Sequence, residues 1–185
     1  MKKAILATLG AATLVLASFA AHAEGIYAGF NLGSAEQKVQ LDPLGSFKDH
    51  TTGAKIYGGY NFNKNFGAEV GFVEFGNANW TVLGVSISAK PRSFYVAGTG
   101  TLPITDTFSV FAKLGISDNR TKGSVSGVAA GAENKTTPLV GIGASYAFTK
   151  NISAVVEYED FGKVLESGSS NLKLNLLSVG VRYAF

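Results

Sequence analysis

Three features of the sequence predict an all-β fold, an eight-stranded antiparallel up-and-down transmembrane β-barrel with four long extracellular loops and short periplasmic turns. The first is the segment Leu172 to Phe185. Phe185, Tyr183, Val181, Val179 and Leu177 are apolar or aromatic, while Ala184, Arg182, Gly180 and Ser178 between them are small or polar. A period of two marks a strand with one apolar and one polar face. The second is that such segments recur along the chain, joined by connections that alternate between long and short. The third is that no segment after residue 23 holds the roughly 20 consecutive apolar residues a membrane helix needs. The last strand alone also fits the edge of a soluble sandwich, so the case rests on the whole chain.

Met1 to Ala23 reads as a secretory signal peptide. Lys2 and Lys3 precede an apolar run from Ala4 to Phe19, and Ala21-His22-Ala23 forms a small-x-small cleavage site before Glu24. Cleavage after Ala23 leaves residues 24–185 as one barrel domain. The chain has 16 Lys and Arg against 13 Asp and Glu, and the leader removes two bases and no acid, so the surplus falls to one. With no block of bases, nothing announces a nucleic-acid partner. Cysteine is absent, so an exported domain of this size must be held by packing or by a closed sheet.

The strands follow in order. Ile26, Ala28, Phe30 and Leu32 alternate with Tyr27, Gly29, Asn31 and Gly33, and the polar stretch Ser34 to His50 reads as a long loop. In the second strand, Ala54, Ile56, Gly58, Tyr60 and Phe62 oppose Lys55, Tyr57, Gly59 and Asn61. After the turn Asn63-Lys64-Asn65, Phe66, Ala68, Val70 and Phe72 oppose Gly67, Glu69, Gly71 and Val73. Glu74-Phe75-Gly76 breaks the phase and opens a second long segment, Asn77 to Pro91, part of which also alternates. Phe94 to Leu102 is the fourth strand, and Pro103 to Asp106 a turn. Phe108 to Ile116 is the fifth, and Asp118 to Lys135 a Gly-rich loop. Val140 to Phe148 and Ile152 to Tyr158 flank the turn Thr149-Lys150-Asn151. Lys163 to Asn171 is the last polar loop, after which the phase of the final strand slips near Leu176-Leu177, as at a bulge. Four long and three short connections imply eight strands. In an up-and-down sheet, alternate connections fall on opposite rims, so all long loops share one rim. A weak internal echo links Phe66 to Gly76 with Ile152 to Gly162. Both follow a Lys/Asn turn and end on acidic-Phe-Gly.

The apolar faces point outward in this reading. They carry Tyr60, Phe62, Phe66, Phe108, Tyr146, Phe148, Tyr183 and Phe185 near the turns, as a girdle at a membrane interface does. The opposite faces mix Gly, Ala and Ser with a few charges, which suits a narrow interior. Buried charges need partners. Lys55, Lys113 and Arg182 are therefore expected to form an interior ion network with Glu69, Glu157 and Glu159. The alternative is that some, Glu159 above all, lie at a rim in water.

Gly-Ile-Tyr-Ala-Gly-Phe at 25–30, Glu-Phe-Gly at 74–76, Glu-Asp-Phe-Gly at 159–162 and Gly-Val-Arg-Tyr-Ala-Phe at 180–185 resemble the small bacterial outer-membrane barrels of the OmpA-like transmembrane domain and opacity-protein type, the porin family in the broad sense. The resemblance implies location in the outer membrane of a Gram-negative cell. It implies surroundings of outer-membrane lipid and lipopolysaccharide, and assembly by the outer-membrane barrel machinery through a signal that includes Tyr183 and Phe185. It also implies that the chain, ending at the barrel, lacks the periplasmic peptidoglycan-binding domain of full-length relatives.

Little in the sequence points to chemistry. Some small barrels resemble lipid A-modifying enzymes that use His and Ser at the loop rim, and here His50 lies near Ser46 and Asp49. The His-x-Ser pattern of those deacylases is missing. No catalytic, cofactor-binding or metal-binding constellation stands out, and the glycine spacings occur in strands, not before helices. The expected function is non-enzymatic, structural or adhesive, exerted through the loops on a ligand the sequence does not name. A small low-conductance channel is the alternative, and a lipid A-modifying enzyme the remote one.

Overall fold

A computed structural model of the chain describes residues 25–41, 45–82, 85–125, 128–167 and 170–185. Residues 1–23, expected to be a signal peptide, lie outside the described residues. Nine strand segments follow one another: β1 (Ile26–Leu41), β2 (Gly45–Asn61), β3 (Phe66–Glu74), β4 (Ala78–Val82), β5 (Val85–Pro103), β6 (Phe108–Val125), β7 (Val128–Ala147), β8 (Ile152–Ser167) and β9 (Ser170–Ala184). All pairings are antiparallel. β1 pairs with both β2 and β9, and β3 pairs with both β2 and β5, which closes the ring. β3 and β4 are successive parts of one stave, since both lie against β5. The fold is a closed eight-stranded antiparallel barrel, as the sequence predicts. At the level of β3 closure pairs every stave on both sides, so no open sheet edge remains there. Among the described residues the β2–β3 ladder stops at Ala54 and Glu74, and the β7–β8 ladder at Val140 and Asp160.

The interruption falls at Glu74-Phe75-Gly76. Gly76 takes a positive φ of 76°, which side chains with a Cβ rarely adopt. Phe75 N–H turns to Pro91 O at 3.2 Å. The echo of this segment in β8 has the same feature, with Gly162 at φ 71°. β3 and β8 stand on opposite sides of the ring, so the two breaks face each other across the bore.

Two expectations about strand ends differ from the structure. The segments 34–50, 77–91, 118–135 and 163–171, expected as loops, are largely paired strand. β1 and β2 stay in register out to Leu41 and Gly45, and β5 and β6 out to Ile87 and Val125. Their polarity reflects water on the outer face of a wall that has left the membrane, and strands need no apolar face there. The bulge expected at Leu176-Leu177 is absent. β9 runs in unbroken register past β1, with Ala35 opposite Leu176 and Ser34 opposite Leu177. The register shifts lie on β8, around Lys163. What changes at Leu176 is the chemistry of the inward face, which becomes apolar toward the outer end.

The three short turns are copies of one another. Phe62, Ile104 and Phe148 donate their N–H groups to the carbonyls of Phe66, Phe108 and Ile152 at 2.9 Å each. The side-chain oxygens of Asn63, Thr105 and Thr149 then accept from the last backbone N–H of the turn and the first of the next strand. Asn and Thr favour such turns because their short polar side chains replace a backbone acceptor. This accounts for the recurrent apolar-Asn/Thr-x-Asn/Thr-apolar pattern.

The outward face is apolar. Ile56, Phe94, Leu114, Ile142, Val156, Val179 and Val181 are each half to two-thirds exposed, a distribution no water-soluble sheet would carry. At the short-turn rim, Tyr60 and Phe62, Tyr146 and Phe148, and Tyr183 and Phe185 form three edge-to-face pairs with centroids 5.6, 5.3 and 5.0 Å apart. Amphipathic rings in that position sit at headgroup level. Substituting Ile142 by Arg is expected to destabilise the barrel in a bilayer by about 2–4 kcal/mol, while Thr105→Arg at the turn is expected to be neutral. Urea unfolding in phospholipid vesicles, read by gel mobility, checks both.

Candidate functional site

The bore is filled in two layers. The inner layer is built on aromatic rings laid over glycines. Tyr57 crosses Gly29, Tyr27 crosses Gly59, Tyr95 crosses Gly71 and Phe111 crosses Gly143, each directly opposite on a neighbouring strand. A Cβ at these glycines would fall between 2.2 and 2.5 Å from the ring atoms. The missing side chain thus makes room for the ring, and the pairing rigidifies the wall.

Those rings line an ionic cluster. Lys113 contacts the carboxylates of Glu69 and Glu157, with Glu159 at 3.4 Å. Lys55 contacts Glu157, and Glu159 lies 2.9 Å away. Tyr27 and Tyr95 donate their hydroxyls to the two oxygens of Glu69 at 3.0 and 2.6 Å. Arg182 stands toward the short-turn rim, 3.7 Å from Glu69, its guanidinium 4.5 Å from the centre of the Tyr27 ring. The structure therefore brings together Lys55, Glu69, Lys113, Glu157, Glu159 and Arg182. Five are wholly buried, Glu159 included, and only Arg182 keeps some access, 17% of its side chain.

Oxygens of Glu69, Glu157 and Glu159 lie within 4.8 Å of one another. Three carboxylates at that spacing could hold a divalent cation. Here two ammonium groups and a guanidinium already stand against them, so their charge is matched from within the chain. Bare, the three could not share this space ionised.

The outer layer is apolar, and its extent was not foreseen from the sequence. Ala35, Val73, Phe75, Leu139, Phe161, Val164, Leu172, Leu174 and Leu176 pack together inside the wall. At its centre the rings of Phe75 and Phe161 meet at 4.9 Å and 88°. Each belongs to an acidic-Phe-Gly segment, so the echo in the sequence is a pair of plugs from opposite staves. The carbonyls freed at the two breaks are capped from inside, Phe75 O by Gln37 and Thr51, and Phe161 O by Thr137. The signal was the run Leu172, Leu174, Leu176, which keeps step with the inward Ser178 and not with the outward Leu177.

Of the remaining residues singled out in the sequence, Asp49 is half-buried on β2, and the others whose side chains are described lie on the surface. His50 is on the outer face of β2, exposed, 3.8 Å from Glu36. Ser46 lies where side chains are outside the described set. Tyr183 and Phe185 sit in the aromatic rim with exposures near 45%.

An apolar outer wall, rings at one rim and charges sealed in the bore define an integral outer-membrane β-barrel. Residues 21–185 match the model of the OmpA-like transmembrane domain, and the chain belongs to that family of Gram-negative outer-membrane proteins. Outer membrane protein A of Klebsiella aerogenes is 28% identical over 199 residues, covering 100% of this chain and 56% of that protein. The chain thus spans about half the length of the curated relatives it matches. Among solved structures, Neisserial surface protein A superposes with a TM-score of 0.68 at 23% identity, covering 88% of this chain and 99% of the other. The attachment invasion locus protein of Yersinia pestis, solved with the heparin analogue sucrose octasulfate, gives 0.56 at 18%, covering 86% and 99%. These two likenesses speak for the fold.

Proposed function

We propose that the protein is a non-enzymatic surface-interaction barrel, whose adhesive work is done by the hairpins that rise beyond the membrane. The observation that carries this reading is the contrast between the ends. The bore holds two filled layers, whereas paired strands continue outward past the apolar band to residues 41 and 45, and 87 and 125. A rigid scaffold that presents variable tips is suited to binding, and a packed bore is poorly suited to transport. In the same reading Met1 to Ala23 is removed on export, and Tyr183 and Phe185 form part of the recognition element for barrel assembly.

The test is adhesion of cells displaying the protein to immobilised extracellular matrix and to heparin, the latter because a heparin analogue occupies one structural relative. Shortening all four hairpins to the level of Glu36 and His50 should reduce adhesion to that of cells without the protein, with barrel folding intact. Undiminished adhesion by the shortened barrel overturns the proposal.

A further inference from the structure

Four lysines stand in one row across four adjacent staves. Lys48 on β2 lies opposite Lys38 on β1, Lys38 lies opposite Lys173 on β9, and Lys173 lies opposite Lys163 on β8. Inward positions on these strands are held by Gln37, Val164, Leu172 and Leu174, so the lysines project outward. Neighbouring strands are about 4.8 Å apart, and like charges directly opposite one another destabilise a sheet. Among the described residues, two acids answer the row. Glu36 is 3.5 Å from Lys48, and Asp160 is 3.3 Å from Lys173. Among the described residues, Lys38 and Lys163 have no ion-pair partner.

The row begins just above the apolar band, where Lys163 and Lys173 stand beyond Tyr158 and Leu177, and climbs to Lys38 and Lys48. Below its lower end is a shallow groove on the lipid face, lined by Pro138, Val140, Ile142 and Tyr158, with Lys163, Lys173 and the Asp160 that pairs with Lys173 at its mouth. An apolar trough that opens onto paired ammonium groups at the membrane interface has the layout of an acyl chain joined to a phosphorylated head.

We infer that this lysine row is a binding site for the phosphorylated glycolipid head of the outer leaflet, lipid A. Its phosphates sit across Lys163, Lys173 and Lys38, and one acyl chain lies along the Val140–Tyr158 groove. The anion relieves the repulsion that the bare row imposes on the sheet. The inference goes beyond the adhesive reading and rests on the barrel wall, not on the hairpin tips, so either can fail without the other.

The test uses the folded chain in detergent, titrated with bisphosphorylated lipid A and followed by native mass spectrometry. The variant K38Q/K48Q/K163Q/K173Q changes only outward side chains. It should bind lipid A about tenfold more weakly than the wild type, each uncompensated base near an anionic surface contributing several-fold. Complete loss is not expected, because Arg92 faces Arg120 on the far wall. K64Q/K150Q, which removes charge at the short-turn rim, should bind as the wild type does. With fully dephosphorylated lipid A the difference should vanish, and inorganic phosphate at matched concentration should not compete. Equal binding by the quadruple variant and the wild type overturns the assignment. So does competition by inorganic phosphate, which would make the row a free-anion site. Discrimination by sucrose octasulfate but not by lipid A would make it a sulfated-glycan site, and overturns it as well.

Discussion

Lys113→Met is expected to lower the unfolding free energy of the barrel by about 3–5 kcal/mol, the usual cost of leaving a buried charge without its partner. Its ammonium touches Glu69 and Glu157 and lies near Glu159, so it holds apart three carboxylates that would otherwise repel one another. Methionine fills a similar volume, so lost charge and not a cavity dominates. The companion substitution Glu69→Gln should restore part of the loss, because it removes one of the stranded anions. Arg182→Met is expected to cost less. Arg182 keeps partial solvent access and makes one long contact, 3.7 Å from Glu69, so water can take up part of the lost pairing. Urea titration in detergent, read by the mobility difference between folded and unfolded barrel, ranks the three. A Lys113→Met barrel within about 1 kcal/mol of the wild type would mean that the wall alone holds the fold.

Most of the barrel could be read in the sequence because membrane and bore impose different chemistries on alternate residues. Ile56 and Lys55, or Val156 and Glu157, are neighbours that no soluble sheet would place in those roles. The alternation therefore fixes both the strand and its direction of facing. The six charged interior positions were legible for the same reason, each lying in phase with small residues. Beyond the membrane this contrast vanishes. At Ser34 to His50 the outer face meets water and the residues turn polar, so the chain looks like loop although its backbone stays paired. The apolar plug escaped notice by the converse route. Leu172, Leu174 and Leu176 look like a lipid-facing stripe until the unbroken register with β1 shows them turned inward. Phe75 and Phe161 were visible as an echo, but their meeting depends on β3 and β8 standing opposite each other in the ring. That is a property of closure and not of either segment.

Phe161→Ala is expected to cost about 3–5 kcal/mol, as removal of a fully buried ring does. Phe161 packs edge-on against Phe75 at 4.9 Å and lies 6.3 Å from Tyr95, so the loss opens a void between the two layers' rings. Its effect on conduction is a separate matter, and it tests the channel alternative. The two layers stand in series along the bore. Below the apolar plug, Lys55, Lys113 and the three glutamates still fill the cross-section, wholly buried and paired with one another. Phe161→Ala should therefore lower stability yet remain silent in planar bilayers, at the level of the wild type. Steady openings in Phe161→Ala alone would place the resting barrier in the plug and make the ionic layer permeable, which favours a channel over a surface scaffold. Silence in Phe161→Ala together with openings in Lys113→Met would instead locate the barrier in the ion cluster. The position of the barrier, and with it the choice between the two functions, is thus decided by which layer a single substitution must breach.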